Sequence, residues 1–213
     1  MQAGYAQSYC YDSSGKLSDI LIFGGLVRLI HSLGFRPPIE ILDVGCGGGY
    51  FFAELDRLGS VRGIEVDESL LADDCPARDR IYSKPLGDPF YRNRQFDLIT
   101  ALDVIEHIED DGKAVDDMLA MLRPGGKVVI TVPAFMALWD HHDELNKHLR
   151  RYTAGGLRRL LSPRGKILRL RYLFQGIVFL KLLVKLVNRG AKTRIIQHRI
   201  PSGIVNRAMM AWC

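Results

Sequence analysis

The segment from Ile41 to Gly49 constrains this 213-residue chain more than any other. It consists of a short apolar run, one acid at Asp43, and then a turn with glycines at positions 45, 47, 48 and 49. An apolar run that ends in glycines predicts a buried parallel strand that enters a tight turn, with a helix after it. Because glycine has no Cβ, backbone N–H groups in such a turn can approach a ligand closely.

A second acid, Glu65, ends the next strand-like run, about 20 residues further along the chain. An acidic side chain in this position suits the two hydroxyl groups of a ribose. The glycine turn and the two acids together predict the nucleoside-binding half of a doubly wound, Rossmann-like α/β fold. Such a fold has a mostly parallel sheet with helices on both faces.

The spacing of the glycines distinguishes between nucleoside ligands. The dinucleotide pattern G-x-G-x-x-G needs a small residue where this chain has Tyr50. Asp43 would repel a pyrophosphate, but it would attract a ligand that carries an ammonium group. S-adenosylmethionine carries an ammonium, a sulfonium and a ribose without any phosphate. The pattern D-x-G-x-G-x-G therefore favours this cofactor over a nicotinamide coenzyme, which would make the chain an oxidoreductase.

Two downstream motifs extend this pattern, and with them the chain resembles the class I S-adenosylmethionine-dependent methyltransferases. Residues 96–107 are similar to the fourth strand and following turn of that family, and residues 122–133 to its L-R-P-G-G loop and fifth strand. The chain is most similar to the small-molecule branch that includes the ubiquinone-pathway O-methyltransferases. The resemblance implies methylation, most readily at oxygen, of a small or lipid-linked acceptor.

The resemblance also implies which residues bind the cofactor. Asp43 and the glycine turn would hold the methionine end, Glu65 the ribose, and Val66 would flank the adenine. Two leucines after the third and fourth strands would line the adenine and methionine sides. The complete predicted set is Asp43, Gly45, Cys46, Gly47, Gly49, Glu65, Val66, Leu86 and Leu102.

Two histidines are the predicted catalytic residues. His107 follows the fourth strand and His142 follows the fifth, so both would lie at the edge of the sheet where ligands of open α/β folds bind. Either could act as a general base towards a hydroxyl nucleophile, with Asp143 beside His142. The alternative is that these histidines only shape the loops. The nearby side chains that could hold an anionic acceptor are Arg150, Arg151 and Tyr152.

A metal site is considered at the same edge of the sheet. Asp103, Glu106 and His107 are similar to the E-x-x-E-H pattern that binds a divalent ion in the ubiquinone-pathway enzymes, with Asp in place of the first Glu. The alternative is that Asp103 caps the next helix, Glu106 favours its positive end and His107 packs. We favour this alternative and therefore predict no metal ligands.

Charge is distributed unevenly along the chain. Residues 1–144 contain all 24 acidic residues and have a net charge of −11, whereas residues 145–213 contain no acid and have a net charge of +16. Such asymmetry suggests contact with an anionic membrane, an anionic substrate or nucleic acid, or else a basic face that meets only solvent. Nucleic acid is the weakest option, because no N-P-P-Y-type motif is present.

We divide the chain into a methyltransferase domain over residues 1–174 and a basic helical extension over 175–213, packed on the same domain. Within 175–189, three cations spaced four apart would form one stripe on an apolar helix. That arrangement suits either peripheral membrane contact or a packed lid. The absence of a secretory signal, and the four scattered cysteines, predict a cytoplasmic protein, peripheral at the membrane in the first case. A membrane-associated binding protein without turnover is a further alternative.

Several elements are also predicted. Helices are expected over 49–58, 68–73 and 154–162, with Thr153 as the N-cap of the last. Alternating polarity over 166–173 predicts a sixth strand. No strand-like run follows Pro201, so a seventh strand is not predicted.

Overall fold

The computed structural model describes residues 25–71 and 74–172. One sheet contains all five strands of this part of the chain, which are β1 (Ile39–Val44), β2 (Gly59–Ile64), β3 (Ile81–Tyr82), β4 (Phe96–Leu102) and β5 (Leu122–Thr131). Every neighbouring pair is parallel, and the strand order is β3-β2-β1-β4-β5. This is the strand order of a Rossmann-like sheet, so the predicted fold class is confirmed.

The helices follow the strands and connect them. The described part of α1 covers residues 25–31. The remaining α-helices are α2 (Phe52–Leu55), α3 (Asp111–Ala120), α4 (His141–Leu145) and α5 (Ala154–Leu161). Thr153 caps α5 as predicted, because its side chain accepts a hydrogen bond from the Gly156 N–H. Short 3₁₀ turns at Glu68–Leu70, Ile105–His107 and Met136–Leu138 complete the loops that concern the site.

The core forms around the two central strands. Ile41 and Leu42 of β1 and Leu98 and Ile99 of β4 are fully buried. Consecutive residues of one strand point to opposite faces of a sheet, so both faces of β1 and β4 are covered. Strands covered on both faces carry apolar residues at consecutive positions, and this explains the adjacent apolar pairs Ile41–Leu42 in β1 and Leu98–Ile99 in β4.

The strand order fixes where a ligand can bind. β1 pairs with β2 on one side and with β4 on the other, so the chain reverses its direction of travel across the sheet at β1. In open α/β sheets, the crevice at the carboxyl ends of the strands at such a reversal is the ligand site. The glycine turn follows β1 and residues 103–107 follow β4, so both lie at this crevice.

Three predicted elements differ from the structure. The helix predicted over 49–58 is reduced to α2, because Gly49 has a φ of +79° and still belongs to the turn. The helix predicted over 68–73 is only the 3₁₀ turn Glu68–Leu70 among the residues described there. The sixth strand is wrong over 166–172, which contain no strand. Leu170 packs on the core, but Leu168, which would share a face with it on a strand, is 57% exposed, so the apolar alternation does not correspond to a buried strand face.

The predictions for the C-terminal extension concern residues 175–213, which lie outside the described residues, so the predicted domain boundary stays a prediction. Ile30–Leu170 fall within one compact unit, and the candidate site lies entirely inside it. Across the described ranges, no helix combines the length and the apolar character needed to cross a membrane.

Candidate functional site

The glycine turn is held against β2 and against the segment after β4. The N–H groups of Gly45 and Cys46 both donate to the Ile64 carbonyl, at 2.8 and 3.1 Å. Gly45 has a φ of +67°, and a Cβ added there would lie 2.6 Å from Cγ2 of Val104. The absence of a side chain at Gly45 therefore allows the turn and the β4 loop to approach each other across the crevice.

Glu65 connects the turn to the end of β2. Its Oε2 accepts a hydrogen bond from the Gly47 N–H at 3.0 Å, and its Oε1 accepts one from the Asp67 N–H at 2.9 Å. Glu65 is only 6% exposed. A carboxylate has about four lone-pair positions, so it retains capacity to accept from ribose hydroxyls. Glu65 is therefore both a structural clamp and a candidate ribose ligand.

Asp43 lies beneath the turn at the end of β1 and is 3% exposed. Thr100 of β4 donates its hydroxyl to Oδ1 of Asp43 at 2.6 Å. Burial raises the pKa of Asp43 to about 7; the Thr100 hydrogen bond opposes this rise, and the charge of Glu65 adds to it. None of the ion pairs found among the described residues involves Asp43 or Glu65. The crevice thus contains two buried carboxyl groups without a cationic side-chain partner.

The other predicted cofactor residues surround this crevice. Cys46 is buried, and its thiol points towards Gly63 of β2, which leaves the Cys46 backbone as the part available to a ligand. Val66, directly after Glu65, is 59% exposed, so its side chain is accessible to an adenine ring. Leu86, in the loop after β3, and Leu102, the last residue of β4, are half-buried. Their contacts with the cofactor remain predictions.

A polar cluster lies on the other side of the crevice, after β4. Glu106 is fully buried, and neither of its carboxylate oxygens has a hydrogen-bond partner. Burial, and then the charge of Asp103, raise the pKa of Glu106 to about 8. One donor atom from each of Glu106, His107 and His148 lies within 4.8 Å of the others. The rings of His107 and His148 meet edge to face, with centroids 4.7 Å apart.

Asp143 holds His148 in this cluster. Oδ1 of Asp143 lies 2.8 Å from Nδ1 of His148, and the guanidinium of Arg151 donates to both Asp143 oxygens at 2.7 and 2.8 Å. Burial alone would raise the pKa of Asp143, but hydrogen bonds from Arg151, the Asp140 N–H and His148 outweigh it and lower that pKa to about 2. Asp143 is therefore an ionised, buried anchor for His148.

The structure changes two interpretations of this segment. Sequence adjacency suggested His142 as the partner of Asp143, but His142 is exposed and the Asp143 carboxylate contacts His148. The side chains predicted to hold an anionic acceptor instead make hydrogen bonds and ion pairs to other groups of the protein. Arg150 contacts the Glu109 carbonyl and Asp111, and the Tyr152 hydroxyl donates to Asp111. The geometry does not support an anion site built from Arg150, Arg151 and Tyr152.

Comparison with known proteins identifies the family of this chain. A family model described as a methyltransferase domain matches residues 21–165, more than half of the chain. The chain belongs to the class I S-adenosylmethionine-dependent methyltransferases. This membership confirms the predicted family and the cofactor that the family uses.

Individual relatives of this methyltransferase are distant. The ubiquinone biosynthesis O-methyltransferase of Bradyrhizobium diazoefficiens is 30% identical over 110 residues, which cover 49% of this chain and 44% of that protein. The YcgJ protein of Bacillus subtilis has a similar fold, with a TM-score of 0.56, 17% identity and 66% coverage of each chain. The plantazolicin methyltransferase BpumL, solved with S-adenosylhomocysteine, gives a TM-score of 0.57 at 17% identity over 83% of this chain and 80% of that one. The chain spans less than half the length of the first curated relatives it matches.

Proposed function

We propose that this protein transfers the methyl group of S-adenosylmethionine to an oxygen of a small or lipid-linked acceptor. The observation that carries the proposal is the pair of buried carboxyl groups, Asp43 and Glu65, at the glycine turn. A phosphate-bearing coenzyme would have to bring its negative charge against both. A ligand that offers an ammonium group and two ribose hydroxyls supplies the donors that these carboxyl groups lack.

The reaction requires little acid–base chemistry from the protein at the methyl group, because the positive sulfur already activates the carbon. The main contribution of the site is to align the acceptor with the sulfonium and to exclude water. Gly45 of the turn lies against Val104, three residues before His107 in the chain, so an acceptor bound near His107 would lie on the side of the turn where the methionine end of the cofactor is expected. His107 and His142 remain the predicted catalytic residues.

Exposed apolar side chains beside the polar cluster support an apolar acceptor. The N–H of Leu149 donates to the Glu106 carbonyl, yet the Leu149 residue is 50% exposed. Met136 is 55% exposed and accepts a sulfur hydrogen bond from the Arg151 N–H, while Leu145 of α4 is 38% exposed. Apolar surface next to a site is typical of a place where an apolar ligand binds. Oxygen as the target atom follows the name of the ubiquinone biosynthesis relatives.

Ligand-induced thermal stabilisation tests the cofactor assignment. At a concentration of 100 times its Kd, S-adenosylhomocysteine should stabilise the folded protein by about 2.7 kcal/mol. The melting temperature should therefore rise by several degrees. NAD should not raise it. Asp43→Ala should abolish the shift. The matched variant Asp43→Asn keeps a partner for Thr100 but removes the charge, so it too should bind poorly. Stabilisation by NAD alone would favour the oxidoreductase alternative.

Turnover separates an enzyme from a binding protein of the same fold. The protein should convert S-adenosylmethionine to S-adenosylhomocysteine when it is supplied with hydroxylated aromatic acceptors, and these should be tested with and without an apolar tail. Faster release with the tailed acceptor would agree with the apolar surface formed by Met136, Leu145 and Leu149. Cofactor binding without release on any such acceptor would favour the non-catalytic alternative.

A further inference from the structure

Glu106 lacks the partners that a buried carboxyl group needs. It is fully buried, and both side-chain oxygens are without a hydrogen bond among the described residues. Burying a polar group without a partner carries a free-energy cost, and each such group in a native protein requires an explanation. An ion bound by these oxygens is one such explanation, and it is favoured when other ligand atoms lie close by.

Two further ligand atoms lie close to Glu106. The nearest donor atoms of Glu106, His107 and His148 are all within 4.8 Å of one another. Donors bound to one transition-metal ion lie about 2.0–2.2 Å from it. Two such donors are therefore separated by roughly 3–3.5 Å. The observed separation is within reach of small side-chain rotations at that edge of the sheet.

His148 is oriented through a ring nitrogen that is already in use. Nδ1 of His148 lies 2.8 Å from Oδ1 of Asp143. The ring of His148 therefore has Nδ1 held by the protein and Nε2 left for a ligand. This arrangement, in which an acceptor fixes the outer ring nitrogen, is the one that metal-binding histidines adopt in proteins.

Arg151 completes the support behind His148. It donates two hydrogen bonds to Asp143, whose side chain has no exposed surface, so the carboxylate that orients His148 cannot rotate freely. Asp103, by contrast, is exposed, and its Oδ1 accepts a hydrogen bond from the Thr131 hydroxyl at 3.2 Å. The segment after β5 therefore contributes a ligand atom that the sequence pattern at residues 103–107 does not contain.

We propose that Glu106, His107 and His148 bind one divalent transition-metal ion, with Asp143 and Arg151 as the residues that position His148. Two imidazoles and one carboxylate suit Zn²⁺, Mn²⁺, Fe²⁺ or Co²⁺, whereas Mg²⁺ prefers a set made of oxygen atoms. Three protein ligands leave coordination positions open for an acceptor oxygen. In this assignment His107 is a ligand rather than a free base, which revises the prediction that the chain has no metal ligands.

Metal binding can be measured without any methyl transfer. Tag-free, full-length protein treated with a chelator should bind one equivalent of Zn²⁺ in calorimetry, and Co²⁺ should give visible d–d absorption bands. His148→Asn keeps an N–H that can donate to Asp143 but lacks the second ring nitrogen, so its affinity should fall at least about 100-fold. Glu106→Gln should fall similarly. Mg²⁺ should bind more weakly than Zn²⁺.

Two matched variants control for unspecific binding. His142→Ala removes an exposed histidine from the same segment, and Asp103→Asn removes the carboxylate that the sequence pattern would use. His142→Ala should retain the Zn²⁺ affinity of the unaltered protein, and Asp103→Asn, which removes a nearby charge but no proposed ligand, should lower that affinity far less than His148→Asn does. Absence of stoichiometric binding, or unchanged binding in His148→Asn, would overturn the proposal. If Asp103→Asn lost its Zn²⁺ affinity while His148→Asn retained it, the ligand assignment would be overturned. Stabilisation by S-adenosylhomocysteine should persist in His148→Asn, so failure of the metal site and failure of the cofactor site are distinguishable.

Discussion

Asp43 shows how a single buried side chain can select a ligand class. Within the described residues its carboxyl group accepts a hydrogen bond from the Thr100 hydroxyl, and burial raises its pKa to about 7, with Glu65 nearby as a second negative group. The free protein therefore holds this carboxyl partly protonated near neutral pH. An arriving ammonium group would favour the ionised form, so cofactor binding and the loss of a proton are coupled.

This coupling predicts a pH dependence of cofactor binding. The affinity for S-adenosylhomocysteine should rise as the pH increases towards 7, by up to about tenfold per unit, and then level off. Isothermal titration in buffers of different ionisation enthalpy at pH 6 should also detect proton release. The Asp43→Asn variant lacks the titrating group, so its weaker affinity should be independent of pH in this range. An equal slope in both proteins would contradict the assignment.

The Asp43 carboxyl group also affects the stability of the fold, and here a rise in pH has the opposite effect: it lowers the free energy of unfolding although it raises the cofactor affinity. Because its pKa in the folded state, about 7, lies above the ordinary value of 3.8, the folded protein retains a proton that the unfolded chain has lost. The contribution of Asp43 to the free energy of unfolding should therefore fall as the pH rises from about 4 to 7 and then stay constant. Denaturant titrations of the unaltered protein and of Asp43→Asn would show this difference.

Residues of the two halves of the site differ in how well the sequence predicts them. Asp43 and Glu65 are predictable because each ends an apolar run, and the carboxyl ends of neighbouring parallel strands meet at one edge. His148 lies five residues beyond Asp143, and only the fold of the segment after β5 brings its ring to Glu106. The unpaired state of Glu106 depends on everything packed around it, which no local pattern contains.

The glycine turn is the element whose backbone is most specialised. Gly45 combines a φ of +67° with the close approach of Val104, whereas Gly48 does not have a positive φ. Gly45→Ala should destabilise the protein by about 1–3 kcal/mol, because alanine is strained at this φ and its Cβ would displace Val104. Gly48→Ala should cost less. Thermal unfolding measures both, and equal losses would show that the turn tolerates a side chain at Gly45.

The segment after β5 depends on a buried ion pair. Asp143 is fully buried against Arg151, so Asp143→Ala would leave a nearly buried guanidinium without its partner and should cost about 3–5 kcal/mol. Asp116 offers a matched control, because its side chain is 55% exposed in its ion pair with Arg164. Asp116→Ala should cost under about 1 kcal/mol. Similar denaturation midpoints for the two variants would contradict this role of Asp143.

Elements were predicted best where burial enforces a pattern. β1 and β4 lie where the sequence predicts a strand before the glycine turn and a fourth strand from residue 96, because their central residues are apolar and are covered on both faces. The sixth strand was wrong over 166–172 because the spacing of apolar residues does not supply the hydrogen-bonding partner that the backbone of a strand needs. The helix after the glycine turn was too long because the turn continues past Gly49.

The whole molecule combines an acidic cofactor crevice with a strongly basic C-terminal third. The predicted membrane contact over 175–189 lies outside the described residues, and the charge division in the sequence supports it. The full-length protein should co-sediment with vesicles that contain an anionic phospholipid at low salt and be released at high salt, because screening weakens surface attraction. Vesicles of neutral lipid should bind little.

Charge reversal at chosen positions locates such an interaction. Lys181→Glu, Lys185→Glu and Arg189→Glu together should abolish co-sedimentation. The control reverses the same number of charges at exposed arginines elsewhere, through Arg57→Glu, Arg78→Glu and Arg92→Glu. If both triple variants lose binding equally, net charge rather than the sequence at 175–189 drives the association. If neither loses binding, the membrane prediction is wrong.

The clamp formed by Glu65 has a consequence for engineering. One carboxylate fixes the Gly47 N–H and is also the group expected to read the sugar of the cofactor. Replacing it to accept an analogue with a modified ribose would loosen the glycine turn, which is the loop predicted to hold the amino-acid end of the same molecule. Tolerance for synthetic cofactors should therefore be sought at Val66 and Leu86, where side chains can be exchanged without disturbing a main-chain contact.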